Sequence, residues 1–115
     1  MAKTFEMSLR AEPFLKIKSG LKDIEVRIND EKRRALSVGD NIIFTNKSDL
    51  SKVTVMVTNL FAYPSFAELF RAQSLKRMGF EGTESVEQAV EAMTKFYDPE
   101  EQKQFGVVGI EMKLV

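Results

Sequence analysis

The clearest pattern in the chain is strict alternation. Over Lys52–Leu60, Val53, Val55 and Val57 alternate with Thr54, Met56 and Thr58, which predicts a strand with one apolar face. Val107–Leu114 repeats the pattern, with Val108, Ile110, Met112 and Leu114 on one side. A third alternating stretch, Lys22–Ile28, sets Ile24, Val26 and Ile28 against Asp23, Glu25 and Arg27. Shorter runs at Phe5–Leu9 and Asn41–Thr45 complete five predicted strands. Val38-Gly39-Asp40 reads as a turn, Asn46–Ser51 as a polar loop and Asn29–Arg34 as a charged connection.

The remaining apolar positions follow helical spacing. Glu12–Ser19 carries Phe14 and Ile17 at i and i+3, and Gly20 stands where a helix end favours a left-handed residue. Ser65-Phe66-Ala67-Glu68 and Ser85-Val86-Glu87-Gln88 fit capping boxes, and Asp98-Pro99-Glu100-Glu101 places Asp at the cap and Pro at the first helical position. The expected fold is α+β: a small, mostly antiparallel, curled barrel of about five strands with helices over one side or end, spanning residues 1–115 as one domain. Its expected interior includes Ile24, Val26, Val55, Val57 and Ile110.

Composition narrows the chemistry. The chain has no Cys and no His, which excludes disulfides, thiolate metal sites, a Cys nucleophile and the usual imidazole base. No metal or cofactor is expected. The N-terminal residues lack the apolar core of a signal peptide, and no apolar run approaches a membrane span, so the cytoplasm is the expected compartment. Formal net charge is zero, but residues 1–60 carry 11 basic and 8 acidic side chains, so any nucleic acid would meet a local basic face.

The run Gly20-Leu21-Lys22-Asp23-Ile24-Glu25-Val26-Arg27 is the best candidate site. Glu25 and Arg27, two apart on a strand, share a face. They can pair with each other or offer a donor–acceptor edge to a flat heterocycle. Lys22 at the strand entrance is a base or nucleophile if partly buried, and an anion contact if exposed. At the strand entrance it adds little apolar burial, so Lys22→Ala is expected to leave the fold nearly intact. Lys, Glu and Arg on an outward strand face are also ordinary solvated residues, whose surface ion pairs contribute little.

The pattern G-x-K-x-x-E-x-R after a short helix resembles the signature of ASCH domains, which are PUA-like β-barrels. Val38-Gly39-Asp40 with Ile43-Phe44-Thr45-Asn46, the run Ser65-Phe66-Ala67-Glu68-Leu69, and the closing segment Tyr97–Glu111 are similar to further family segments in the same order. The ending resembles small stand-alone bacterial members. The resemblance implies a cleft beside the signature strand that takes RNA or a nucleoside-type ligand, lined by Lys22, Glu25 and Arg27. It also implies an alternative. Some small members are amidohydrolases that remove an acyl group from N4 of a cytidine, using a Lys and a Thr of this strand. Here Lys22 keeps the first place and Glu25 stands in the second, so Lys22 and Glu25 are the catalytic candidates of that alternative.

Three weaker signals accompany the motif. Lys32-Arg33-Arg34 is a candidate contact for a phosphate backbone, or a solubilising face. Phe61, Tyr63 and Phe66 are candidates for base stacking, or for the core. Residues 81–101 hold seven acidic side chains against Lys95 alone, a face expected to repel nucleic acid. Oligomeric state is not legible.

Overall fold

Strand alternation becomes one five-stranded sheet in the computed structural model, which describes residues 2–115. Met1, included in the expected domain, lies outside them. The strands are β1 (Thr4–Leu9), β2 (Ile24–Ile28), β3 (Asn41–Asn46), β4 (Lys52–Tyr63) and β5 (Val107–Leu114), in the spatial order β1-β3-β4-β5-β2. Only β1–β3 pair in parallel; β3–β4, β4–β5 and β2–β5 are antiparallel. The sheet curls into a half-barrel, with β1 and β2 as its two edges. β4 runs three residues past its expected end. A register shift between Val57 and Asn59 lets it continue through Phe61 and Tyr63.

The helices start where their caps stand. Helix α1 (Ala11–Lys18) buries Phe14 and Ile17 and ends at Ser19, followed by Gly20 at φ +84°. The Ser65 side chain caps α3 (Phe66–Ala72), a reciprocal Ser85–Gln88 box caps α4 (Val86–Thr94), and Asp98 with Pro99 opens α5 (Pro99–Phe105). The charged connection after β2 is itself a short helix, α2 (Glu31–Arg34). The Asp30 carboxylate accepts from the Arg33 backbone N–H at 3.1 Å and nucleates that turn.

Burial separates into two cores, one on each side of the sheet. On the concave side, Met7 and Leu9 from one edge meet Phe14 of α1, Val57 of β4 and Ile110 of β5. On the other side, Ile24, Val26 and Ile28 pack with Phe66, Leu69 and Phe70 of α3. All five residues expected inside are buried, but not together. Val55, Val57 and Ile110 face the concave core, while Ile24 and Val26 face the helices. The register gives the reason. Directly paired residues share a face, and Glu25 pairs with Ile110 while Arg27 pairs with Val108. The charged face of β2 therefore points inward. Gly109 permits this sandwich: a Cβ there would stand 3.2 Å from Leu69 Cδ1 and 3.3 Å from Ile24 Cγ2. Phe66 lies in this second core, stacked with Phe70, and Phe61 and Tyr63 pack against it, which settles the choice between core and stacking platform in favour of core.

Candidate functional site

Gly20 reverses the chain after α1 and delivers Lys22, whose backbone N–H returns to the Lys16 carbonyl at 3.0 Å. The Lys22 side chain then runs inward to Glu25, Nζ to Oε1 at 2.7 Å, and the other oxygen of Glu25 accepts from Arg27 Nε at 2.7 Å. The three side chains are 9%, 4% and 14% exposed, so this is a buried chain of charges, not a solvated face. Arg27 Nη2 continues it to the Ser8 carbonyl at 3.0 Å, joining the two edges of the half-barrel. Asp23, which alternation places beside Glu25, precedes the regular strand and instead meets Arg77, Nε to Oδ1 at 2.8 Å.

The electrostatics follow from this geometry. Burial pushes the Glu25 carboxyl up, but the Lys22 and Arg27 charges and hydrogen bonds outweigh it and hold the pKa at about 2. Burial works against the Arg27 guanidinium, yet Glu25 and neighbouring Tyr97 and Asp30 raise it above its ordinary value. Burial, the largest influence on the Tyr97 phenol, raises it. A carboxylate held between two cations leaves one net positive charge at this position. Lys22 has three N–H donors and one partner, Glu25, among the described residues. Arg27 leaves Nη1 without a partner among them.

These groups form part of the wall of a cleft of about 510 Å³. Its other walls are Ser8–Arg10 at the end of β1, Glu12 and Lys16 of α1, Met78–Glu81, Met93 of α4, and Phe96 and Tyr97 after it. Tyr97 donates its hydroxyl to the Val26 carbonyl at 3.4 Å, and the Arg10 guanidinium lies 4.3 Å from the centre of the exposed Phe96 ring. Gly79, at φ +99°, lets the backbone pass against Lys22; a Cβ there would stand 3.0 Å from Lys22 Cδ. Lys22 is therefore a packed residue, and the expectation that its loss costs little structurally does not hold: its removal would strip Glu25 of a buried partner.

Sequence reading brought Lys22, Glu25 and Arg27 forward, and the structure brings all three to one cleft. Lys32, Arg33 and Arg34 lie apart on α2. Lys32 bonds the Glu6 carbonyl, Arg33 pairs with Asp30, and Arg34 bonds the Asn29 and Phe105 carbonyls. The cleft's other side carries no motif in the sequence. Gly79 and Phe96 fall between predicted elements, where spacing says nothing about what they face. The acidic segment supplies Glu81 and Glu84 to the same cleft. Among the described residues no cluster of His, Cys, Asp or Glu is placed to hold a metal ion, and no helix is long and apolar enough to cross a membrane.

Comparison with known proteins bears on this geometry directly. Residues 7–115 match the ASCH domain family. The chain belongs to that family. The archaeal hypothetical protein PH0355 is 37% identical, with a TM-score of 0.86, covering 97% of this chain and 99% of that one. Protein PF0455 from Pyrococcus furiosus is 36% identical, with a TM-score of 0.77 and 97% of each chain covered. An S128A mutant of ZmASCH from Zymomonas mobilis shares the fold at 10% identity, with a TM-score of 0.58 over 94% of this chain and 66% of that one. The two near-full-length matches are archaeal, so the likeness to bacterial members expected from the closing segment is not what they carry. No curated protein matches the chain.

Proposed function

We propose that this ASCH domain binds a nucleoside, free or as a unit of RNA, in the cleft beside β2. The observation that carries the reading is the nearly buried Lys22–Glu25–Arg27 chain lining one wall of a cleft of about 510 Å³. Small-molecule sites run from roughly 300 to 1,000 Å³ and combine apolar walls with a few fixed polar groups. Here Met78, Phe80, Met93 and Phe96 supply apolar surface, and the spare donors of Lys22 and Arg27 supply direction. Because Glu25 fixes both cations, they offer donors in set positions, which suits the carbonyl and ring-nitrogen acceptors of a base.

Binding is favoured over the amidohydrolase alternative by the state of Glu25. Hydrolysis of an N4-acylated cytidine through Lys22 and Glu25 needs Glu25 to exchange protons near neutral pH. With a pKa of about 2 and both oxygens engaged, it stays a carboxylate there. Lys32 and Arg34 are exposed and keep N–H donors beyond the carbonyl contacts they make, so α2 offers a second, separate basic face to an RNA strand.

Equilibrium binding of the four ribonucleosides and N4-acetylcytidine, with product analysis of the last, tests the reading. Saturable binding of at least one, weakened at least about tenfold in folded Lys22→Ala, with no release of acetate, is expected. Acetate release that depends on Lys22 would put the enzyme reading in its place. Equal binding by parent and Lys22→Ala would remove the site.

A further inference from the structure

We propose that the β1 end of the cleft is a phosphate subsite, so that the preferred ligand is a nucleoside carrying a phosphate; this rests on the nucleoside reading of the same cleft. The cations lining the cleft differ in how far carboxylates neutralise them. At the α1 end, Lys16 is held by Glu12 at 3.4 Å, by Glu81 at 3.9 Å and by the Gly79 carbonyl at 2.7 Å. Glu84, close by, accepts from the backbone N–H groups of Glu81 and Gly82, both at 2.9 Å. That end is neutralised or acidic and repels an anion.

The β1 end differs. Arg10 follows β1 directly. Lys47 is bound beside it, its backbone N–H donating to the Leu9 carbonyl at 2.9 Å. Arg27 reaches the same strand through the Ser8 carbonyl. Arg10, Arg27 and Lys47 thus all line the cleft beside the end of β1. Among the described residues, neither Arg10 nor Lys47 pairs with a carboxylate, and Arg27 keeps its Nη1 donors free. The Arg10 guanidinium lies over the Phe96 ring and donates no side-chain hydrogen bond among the described residues, which leaves its N–H donors open to a bidentate contact with two phosphate oxygens. The base then lies towards Lys22, Met78 and Phe80, and the phosphate towards Arg10, Lys47 and Arg27.

The test compares calorimetric titrations of each ribonucleoside, its 5′-monophosphate and a dinucleoside monophosphate into the parent protein and into Arg10→Ala/Lys47→Ala. At low salt the phosphorylated ligand is expected to bind at least about tenfold tighter than its nucleoside. That ratio should fall towards one in the double variant and as salt is added. Both positions are exposed, and an unchanged melting curve of the double variant confirms that the comparison is between folded proteins. Preference shared by the dinucleoside monophosphate assigns the subsite to an RNA phosphodiester; preference for the monoester alone assigns it to a free nucleotide. A parent that binds nucleoside and monophosphate equally overturns the subsite and leaves the nucleoside reading standing, as does a preference that survives the double variant. A parent that binds neither overturns both.

Discussion

Two ion networks flank β2 and use the same kinds of side chain to opposite effect. On the concave side Lys22, Glu25 and Arg27 are between 4% and 14% exposed. Across the sheet Arg77 joins Asp23 and Glu111 at 2.8 and 3.0 Å, but these side chains are 25–43% exposed. Water screens the second network, so it adds little beyond orienting the 3-10 turn at Lys76–Met78. The first has lost its water, and each member depends on the others. A domain that needed only stability would gain as much from apolar residues at all three positions together. The retained charges make sense as a fixed array of donors for a ligand.

Glu25→Gln should break the comparison most strongly. It leaves two buried cations side by side without a counter-charge, and a loss of roughly 3–5 kcal/mol is expected in urea unfolding. Acid should reach the same interaction by titration. The folded pKa of Glu25 is depressed from 4.5 to about 2, so its contribution is complete above pH 4.5 and disappears as pH falls towards 2. That contribution is about 3 kcal/mol. Unfolding free energy followed between pH 5 and 2 should show the loss in the parent and a shallower one in Glu25→Gln.

A subtler break comes from Gly79→Ala. The new Cβ meets Lys22 Cδ at 3.0 Å, and the backbone at φ +99° disfavours any L side chain. About 1–3 kcal/mol of destabilisation is expected, with weaker nucleoside binding because Lys22 is displaced. Arg77→Ala should cost least, within about 1 kcal/mol, and even that should shrink with added salt. An Arg77→Ala cost equal to that of Glu25→Gln would dissolve the distinction between the networks.

The architecture was largely legible in the sequence. Alternation at β4 and β5 and the caps at Ser65, Ser85 and Asp98 depend on local geometry, which neighbouring residues report. The phase of β2 was legible too, but not which of its faces pointed inward. Alternation distinguishes two faces; it cannot say which is buried when helices cover one and the curled sheet encloses the other. The same limit hid the burial of Glu25, since a charged residue reads as exposed until its partners are placed. Helix α2 reads in the sequence only as a charged connection, because four charged residues carry no apolar period; the Asp30 cap that starts it is shown by the structure. Phe96 and Gly79 joined the site through tertiary folding alone.

The central claim is that the buried charges of β2 form the ligand-reading wall. The most direct measurement is an NMR titration of ribonucleosides into protein with nitrogen-15-labelled lysine and arginine side chains, reading Lys22 Nζ and Arg27 Nε. Saturable shifts at both signals, sharing one binding constant, and their loss in Glu25→Gln under conditions where that variant remains folded, are the predicted result. Saturable binding that leaves both signals unmoved would contradict the account.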